Sequence, residues 1–173
     1  MSKATAVVAK LIALSFDDPY KADEARAALH RMEGEGLLEL DETAVITKTK
    51  SGKKRITQDL NIVAKDQHVG HVVGLVAAAI TGTAPFIMAG TLAGRLVGTL
   101  RDNGITNRFI NEVSKELEDG TSMLIILAHS DPERRQKVME RLRVFQPKVH
   151  ETDLAPELEQ ELTKALESEG LRM

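Results

Sequence analysis

Two histidines stand three residues apart at the start of an apolar stretch, in the sequence DQHVGHVVG. His68 and His71 occupy positions i and i+3 of a predicted helix, and Asp66 comes shortly before them. Imidazole nitrogens at this spacing can bind one metal ion from the same side of a helix. The sequence fixes no third ligand. The pair is therefore either a metal site or a set of polar residues that mark where an apolar hairpin leaves the solvated domain.

Five cations are concentrated in the sequence KTKSGKKR, at the tip of a predicted β-hairpin. Such a tip can contact anionic lipid headgroups, at about 1 kcal/mol per residue near the surface. It can equally be a solvated turn. Nucleic acid is disfavoured as a partner, because no aromatic side chain alternates with the cations and the net charge of the chain is -3. The candidate lipid contacts are Lys48, Lys50, Lys53, Lys54 and Arg55.

Recognisable catalytic patterns are missing from the sequence. GTLAGRLVG lacks the Gly-Lys-Ser/Thr ending of a phosphate-binding loop, and there is no Gly-x-Ser-x-Gly motif. The acidic residues closest to a paired arrangement occur at predicted turns and strand edges, where carboxylates are common. These residues are Glu33, Glu35, Asp41 and Glu42. We therefore expect a protein that is not an enzyme, with no catalytic residue and no cofactor.

The composition is that of a folded domain with an aliphatic core. The 173 residues fit one domain, and 42% are hydrophobic while 28% are charged. With no Trp, one Tyr and four Phe, the core has to be built from Leu, Ile, Val and Ala. The absence of Cys excludes disulfides and thiolate metal sites. The first residues, MSKATAVVAKLIALSF, are expected to form a strand and not a signal peptide.

The first helix follows this strand at an Asp-Asp-Pro sequence. Either aspartate is the predicted cap, the proline occupies the first turn, and one of two glycines ends the helix. In chain order these residues are Asp17, Asp18, Pro19, Gly34 and Gly36. The spacing of apolar residues predicts a buried stripe formed by Ala22, Ala25, Leu29 and Met32.

The rest of the chain predicts further strands and helices. LLELDETAVITKTK and KRITQDLNIV are strands joined at Ser51-Gly52, and TSMLIILAHS is an apolar run typical of a central strand. DPERRQKVMERLRVF is a helix, KVHETDL a last strand, and residues 153–170 an acidic tail helix that docks on the sheet or on a second copy. A helix within ITNRFINEVSKELEDG has Thr106 as its cap and an inward face formed by Phe109, Ile110, Val113 and Leu117.

Two segments of the sequence resemble each other. LIALSFDDP (11–19) and LIILAHSDP (124–132) each end a strand and open a helix at Asp-Pro. Two β-α-β halves of this kind commonly pair into one sheet with two helices on a single face. We therefore predict an α+β, ferredoxin-like fold in which the two strands share a sheet.

Between these halves lies an uncharged segment of 23 residues, from Val72 to Gly94. The turn sequence 81–85 divides it, so we predict a helical hairpin inserted at residues 64–105 with arms at about 68–80 and 85–100. At 1.5 Å per residue each arm is roughly 20 Å long, which is short of the roughly 30 Å of a hydrocarbon core. Arg95 lies within the continuing pattern.

Glycines recur every four residues on both predicted arms. Faces of small residues let helix backbones approach closely, so the neighbour of each face is expected to be another helix. It is either the other arm, within one chain, or the same arm of another copy. The predicted assembly residues are Gly70, Gly74, Gly90, Gly94 and Gly98.

The order of these features resembles the bacterial and archaeal family catalogued as domain of unknown function 1269. The resemblance rests on SFDD (15–18), DETAVI (41–46), SGKKRITQDLN (51–61) and RDNGITNRFINEVSKELEDGTSMLIIL (101–127), and it extends over roughly residues 8 to 168. Members are often labelled membrane or stress-related proteins, so the resemblance implies this layout and a link to membranes. It implies no activity. The chain departs from the family pattern by carrying His68, His71 and Arg95 in or beside the hairpin.

The expected function is that of a self-assembling structural or stress-related protein. Its glycine-faced hairpin makes the contacts between copies and associates with lipid, at the cytoplasmic membrane or in the cytoplasm. One alternative is a soluble closed homo-oligomer whose hairpins bury one another. Another is a binding module that holds a metal at His68 and His71 or an apolar ligand between hairpins. The sequence does not indicate the subunit number, the ligand or the cellular process.

Overall fold

Strands and helices alternate along the chain in the computed structural model, which describes residues 10–60, 72–82 and 105–153. The first part contains β1 (Lys10–Phe16), α1 (Lys21–Gly34), β2 (Glu39–Lys48) and β3 (Lys54–Leu60). The middle part contains α2 (Val72–Thr81). The last part contains α3 (Ile105–Lys115), β4 (Thr121–His129), α4 (Pro132–Leu142), a 3-10 turn (Arg143–Phe145) and β5 (Lys148–Asp153). The fold is α+β, as predicted.

The five strands form one sheet in the order β3-β2-β4-β1-β5. Every neighbouring pair is antiparallel. Leu14 of β1 lies opposite Leu124 of β4, so the two strands that end in the repeated Asp-Pro sequence share a sheet, as expected. Because β1 and β2 both flank β4, they run parallel to each other, and β4 and β5 run parallel on either side of β1 in the same way.

One face of the sheet is covered by α1 and α4. The predicted stripe of α1 is buried there, together with Ala28, and it packs with residues of β1 and β4 such as Leu14 and Leu124. Val138 and Leu142 of α4 complete this cluster. The helix ends at Gly34, one of the two predicted positions. An aliphatic core of this composition follows directly from the sequence.

The opposite face is covered by α2 and α3. Val73, Val76, Ala77 and Ile80 of α2 pack with Phe109 and Val113 of α3, and with Leu117 just after it, against the other side of the same strands. The sheet is therefore covered on both faces, whereas the repeat alone predicts helices on a single face. The residues between the two β-α-β units supply the second layer.

The two Asp-Pro sequences differ in how they open their helices. Asp131 accepts the Arg134 N–H at 2.9 Å and caps α4, with the proline in its first turn. Asp18 instead accepts the N–H of Tyr20, which lies before α1. The predicted cap of α1 was therefore wrong. The buried hydroxyl of Ser122, in β4, takes that place.

This hydroxyl accepts the Ala22 N–H at 3.1 Å and donates to the Asp18 carbonyl at 2.5 Å. Local sequence could not show it, because residues about one hundred positions apart meet only in the sheet. The prediction that Thr106 caps α3 was also wrong, because Thr106 lies within the helix.

Candidate functional site

Among the described α-helices, α2 differs from the others because it contains no charged residue. Its sequence, VVGLVAAAIT, contains no acidic residue in the first turn and no basic residue in the last. Its buried residues Val73, Val76, Ala77 and Ile80 recur at helical spacing and form one stripe against the sheet. A helix without charged residues has no charged face that marks its solvent side, so the contacts that hold it define its position.

The first turn of α2 is held by a buried carboxylate from β2. Glu42 is 1% exposed. Its Oε2 accepts the Val73 N–H at 3.0 Å, and its Oε1 accepts the Gly74 N–H at 3.3 Å. The side-chain amide of Gln58, on β3, also donates to Oε1. The carboxylate thus caps a helix from another element and places a negative charge at the positive end of the helix dipole.

An irregularity in β2 places Leu40 and Glu42 on opposite faces of the sheet. Leu40 pairs with Ala128 but Glu42 pairs with Leu127, so Asp41 is an extra residue in this strand. Such a bulge reverses the alternation of side chains. Leu40 therefore packs on the α1 face, while Glu42 lies on the α2 face with Ala44 and Ile46.

A glycine makes close approach of α2 to β3 possible. A Cβ built on Gly74 would lie 2.9 Å from Oε1 and 3.0 Å from Nε2 of Gln58. Any larger residue here would therefore require the amide end of Gln58, which contacts Glu42, to shift. Gly74 is a predicted assembly residue, and the structure gives it a neighbour within the chain, a strand side chain. Whether it also contacts another copy stays a prediction.

The last turn of α2 contacts a cation of the β2–β3 hairpin. The ammonium group of Lys54, at the start of β3, donates to the Thr81 carbonyl at 2.5 Å. The hydroxyl of Thr81 donates back to the Ala77 carbonyl at 2.9 Å. Gly82 follows with φ of +62°, which agrees with the predicted turn at this point. A positive charge is favourable at this end of a helix.

The remaining cations of the hairpin tip divide into two kinds. Lys48 pairs with Asp119 at 2.9 Å and is partly buried. Lys50, Lys53 and Arg55 are exposed, and among the described residues no ion pair is found for them. Gly52 has a φ of +81°, in agreement with the predicted turn. The five predicted lipid contacts are thus two residues with partners inside the chain and three that face solvent.

The four acidic residues considered from the sequence have four different partners. Glu33 accepts the Leu40 N–H at 3.1 Å, and Glu35 pairs with Arg141. Asp41 lies 2.6 Å from Nδ1 of His129, and Glu42 holds α2. The prediction that Glu42 sits at a strand edge was wrong, because β2 is an inner strand between β3 and β4.

Several predicted site residues lie outside the described residues. These are His68, His71, Gly70, Gly90, Gly94 and Gly98, together with Arg95 and the tail helix. Within residues 10–60, 72–82 and 105–153, no group of three or more His, Cys, Asp or Glu side chains could hold a metal ion. No helix in this part of the chain combines the length and apolar character that a membrane crossing requires.

Sequence reasoning missed the roles of Glu42 and Gln58. One signal was present: counting back by two from Ile46 through Ala44 places Glu42 on the same face as these buried residues. Counting forward from Leu40 also places Glu42 on a buried face, but on the opposite one. The bulge at Asp41 decides between the two, and a bulge has no reliable signal in a single sequence.

Comparison with known proteins gives one match. A family model described as "Protein of unknown function (DUF1269)" matches residues 65–167, which is more than half of the chain. The matched region begins before α2 and includes α3, β4, α4 and β5, whereas SFDD, DETAVI and SGKKRITQDLN precede it. No curated protein and no solved structure matches the chain.

Proposed function

The chain belongs to the DUF1269 family of proteins of unknown function, so we propose from its own structure that it is a non-enzymatic, self-assembling protein that associates with membranes. The observation that carries the proposal is α2, an uncharged helix that buries one stripe on the sheet. The uncharged sequence continues for twelve residues beyond Gly82, to Gly94. A polypeptide of this kind favours burial against lipid or against other copies of itself.

The glycine pattern supports contact between copies. Gly90, Gly94 and Gly98 recur every fourth residue after α2, as Gly70 and Gly74 do around its start. Small residues at this spacing allow helix backbones to touch. We assign the assembly contacts to these residues and call the arrangement a glycine zipper. The role is structural or stress-related.

The position of the basic hairpin tip supports the contact with lipid. Lys54 reaches the last turn of α2, and the uncharged sequence continues from that same end. Lys50, Lys53 and Arg55 are exposed close by in sequence. Cations next to an apolar segment can bind anionic headgroups while the segment enters the interface.

For the fold we propose a ferredoxin-like core with additions. β1-α1-β2 and β4-α4-β5 each join two parallel strands that are separated by a strand of the other unit. β3 extends one edge, and α2 with α3 forms the added layer. The additions are the parts to which we assign the function.

Cell fractionation without detergent tests the proposal. We expect the full-length protein to sediment with membranes and to leave them in detergent as a defined oligomer. Gly94→Leu should dissociate the oligomer, because leucine does not fit where two helix backbones touch. A soluble, uniform particle would reject membrane association and favour the closed oligomer. If Gly94→Leu keeps the assembly and raises the melting temperature, the glycine contacts are refuted, because in an isolated helix leucine is the better helix former.

A further inference from the structure

The β2–β3 hairpin holds both ends of α2 by charge. Glu42 receives the N–H groups of its first turn, and Lys54 donates to the carbonyl of its last residue. Ten helical residues extend about 15 Å, and the six residue steps of β2 from Glu42 to Lys48, the partner of Lys54, extend about 20 Å. The two lengths differ by about 5 Å, and the hydrogen bonds show that the two charged side chains reach both ends of the helix.

The signs of both charges complement the helix dipole. Carboxylates stabilise helix N-termini and ammonium groups stabilise C-termini. At the described positions α2 supplies neither charge itself, because its first turn has no acid and its last turn no base. The sheet provides both. This arrangement differs from an ordinary local cap, in which the capping residue is adjacent to the helix in sequence and stays with it when the helix moves.

We infer that Glu42 and Lys54 form a releasable clamp that decides whether α2 stays on the sheet. While Glu42 is charged and bound to Gln58, the first turn of α2 is fixed. Loss of the charge frees that turn and weakens the hold of the sheet on α2. The inference concerns how the sheet holds α2, which the proposed function does not include, so it goes beyond that function.

Neutralising Glu42 without changing its size isolates this step. In Glu42→Gln one carboxylate oxygen becomes an NH2 group, which faces an N–H donor or the amide of Gln58. A buried donor then lacks an acceptor, and the charge at the helix end is lost. The matched control is Glu39→Gln, the same chemical change at an exposed position of the same strand.

Native-state amide hydrogen exchange on the full-length chain measures the release. We expect Glu42→Gln to accelerate exchange of α2 amides by at least about tenfold, while β4 amides keep the wild-type rate. Glu39→Gln should change neither. An equal acceleration in α2 and β4 would overturn the inference, since Glu42 would then be an ordinary contributor to global stability. An unchanged rate in α2 would overturn it as well.

Lys54→Met keeps the test decisive if Glu42→Gln does not fold. Lys54 is exposed, so the change threatens no core contact, and methionine keeps the apolar stem. We expect the same pattern at the C-terminal end of α2: amide exchange in the last turn becomes faster, while β4 amides keep the wild-type rate. If exchange in the last turn stays at the wild-type rate, the clamp is refuted.

Discussion

The two faces of the sheet are covered by helices that are held in different ways. On one face, α1 and α4 are amphipathic: their apolar stripes point inward and their charged residues outward. On the other face, α2 is uncharged throughout and is fixed at its ends by Glu42 and Lys54. The pattern of an amphipathic helix defines its buried side, whereas an apolar helix needs an external anchor.

The helix N-termini make the same contrast on a smaller scale. Ser122 caps α1 with a neutral hydroxyl from β4, while Glu42 caps α2 with a carboxylate from β2. Both caps come from the sheet. Only the second places a charge at the helix end, and it belongs to the helix that begins the uncharged segment. The comparison teaches that both layers are buried cores, but that α2 also depends on charges supplied by the sheet at its two ends.

The largest expected effect is in the buried core between the sheet and α1. Leu124 is fully buried on the α1 face, and truncation to alanine should lower the free energy of unfolding by about 2–5 kcal/mol. Urea denaturation measures the loss, and amide exchange in β4 and α2 should accelerate together. Val144→Ala, at a site 76% exposed, is the control and should stay within about 0.5 kcal/mol. A loss below about 1 kcal/mol for Leu124→Ala would show that this face is not the core that sets global stability.

At α2 we expect a smaller loss of stability, which becomes a gain when Gln58 is also replaced. In Gly74→Ala the new methyl displaces Gln58 from Glu42, which costs about 1.5–3 kcal/mol for a hydrogen bond to a charged group. The better helix propensity of alanine returns about 1 kcal/mol, so the net loss should be about 1 kcal/mol. Thermal or urea denaturation measures it.

Two variants serve as controls for this change. In a Gln58→Ala background the obstacle is gone, and Gly74→Ala should now stabilise the protein. Gly34→Ala, at the end of α1, should raise stability by about 0.4–1 kcal/mol, because no atom lies within 4 Å of the added Cβ. If Gly74→Ala were as favourable as Gly34→Ala in the wild-type background, close docking of α2 on Gln58 would be disproved.

The smallest effect on stability is expected at the solvent-facing cations. Replacing Lys50, Lys53 and Arg55 by serine should change the free energy of unfolding by less than about 0.5 kcal/mol. Binding to vesicles that contain anionic lipid should nevertheless weaken by about 1 kcal/mol per residue removed. Cosedimentation with anionic and with uncharged vesicles measures it.

A matched triple variant lies on the other layer. Arg31, Lys137 and Arg143 are exposed cations of α1, α4 and the following turn, and their replacement by serine removes the same charge. This variant should keep wild-type vesicle binding. Equal loss in both variants would mean that net charge matters and not the hairpin tip. Equal binding of the wild type to both kinds of vesicle would refute the contact with anionic headgroups, but it would not contradict apolar association with the membrane.

Much of the first layer was determined by the sequence alone. The stripe of α1, the apolar run of β4, the opening of α4 at Asp-Pro (131–132) and the turns at Gly52 and Gly82 all match the predicted positions. Each is a local feature. Helical or strand periodicity, a capping side chain or a glycine with positive φ acts within a few residues, so the chemistry is visible in the sequence.

The tertiary structure decided what depends on distant residues. The caps of α1 and α2 come from Ser122 and Glu42, which lie about one hundred and about thirty positions from the N–H groups they accept. The bulge at Asp41 places Leu40 and Glu42 on opposite faces of the sheet, and the packing of α2 and α3 covers the second face. An uncharged helix has no charged side to mark its orientation, so its packing on the sheet and the charges that the sheet presents at its two ends determine where it lies.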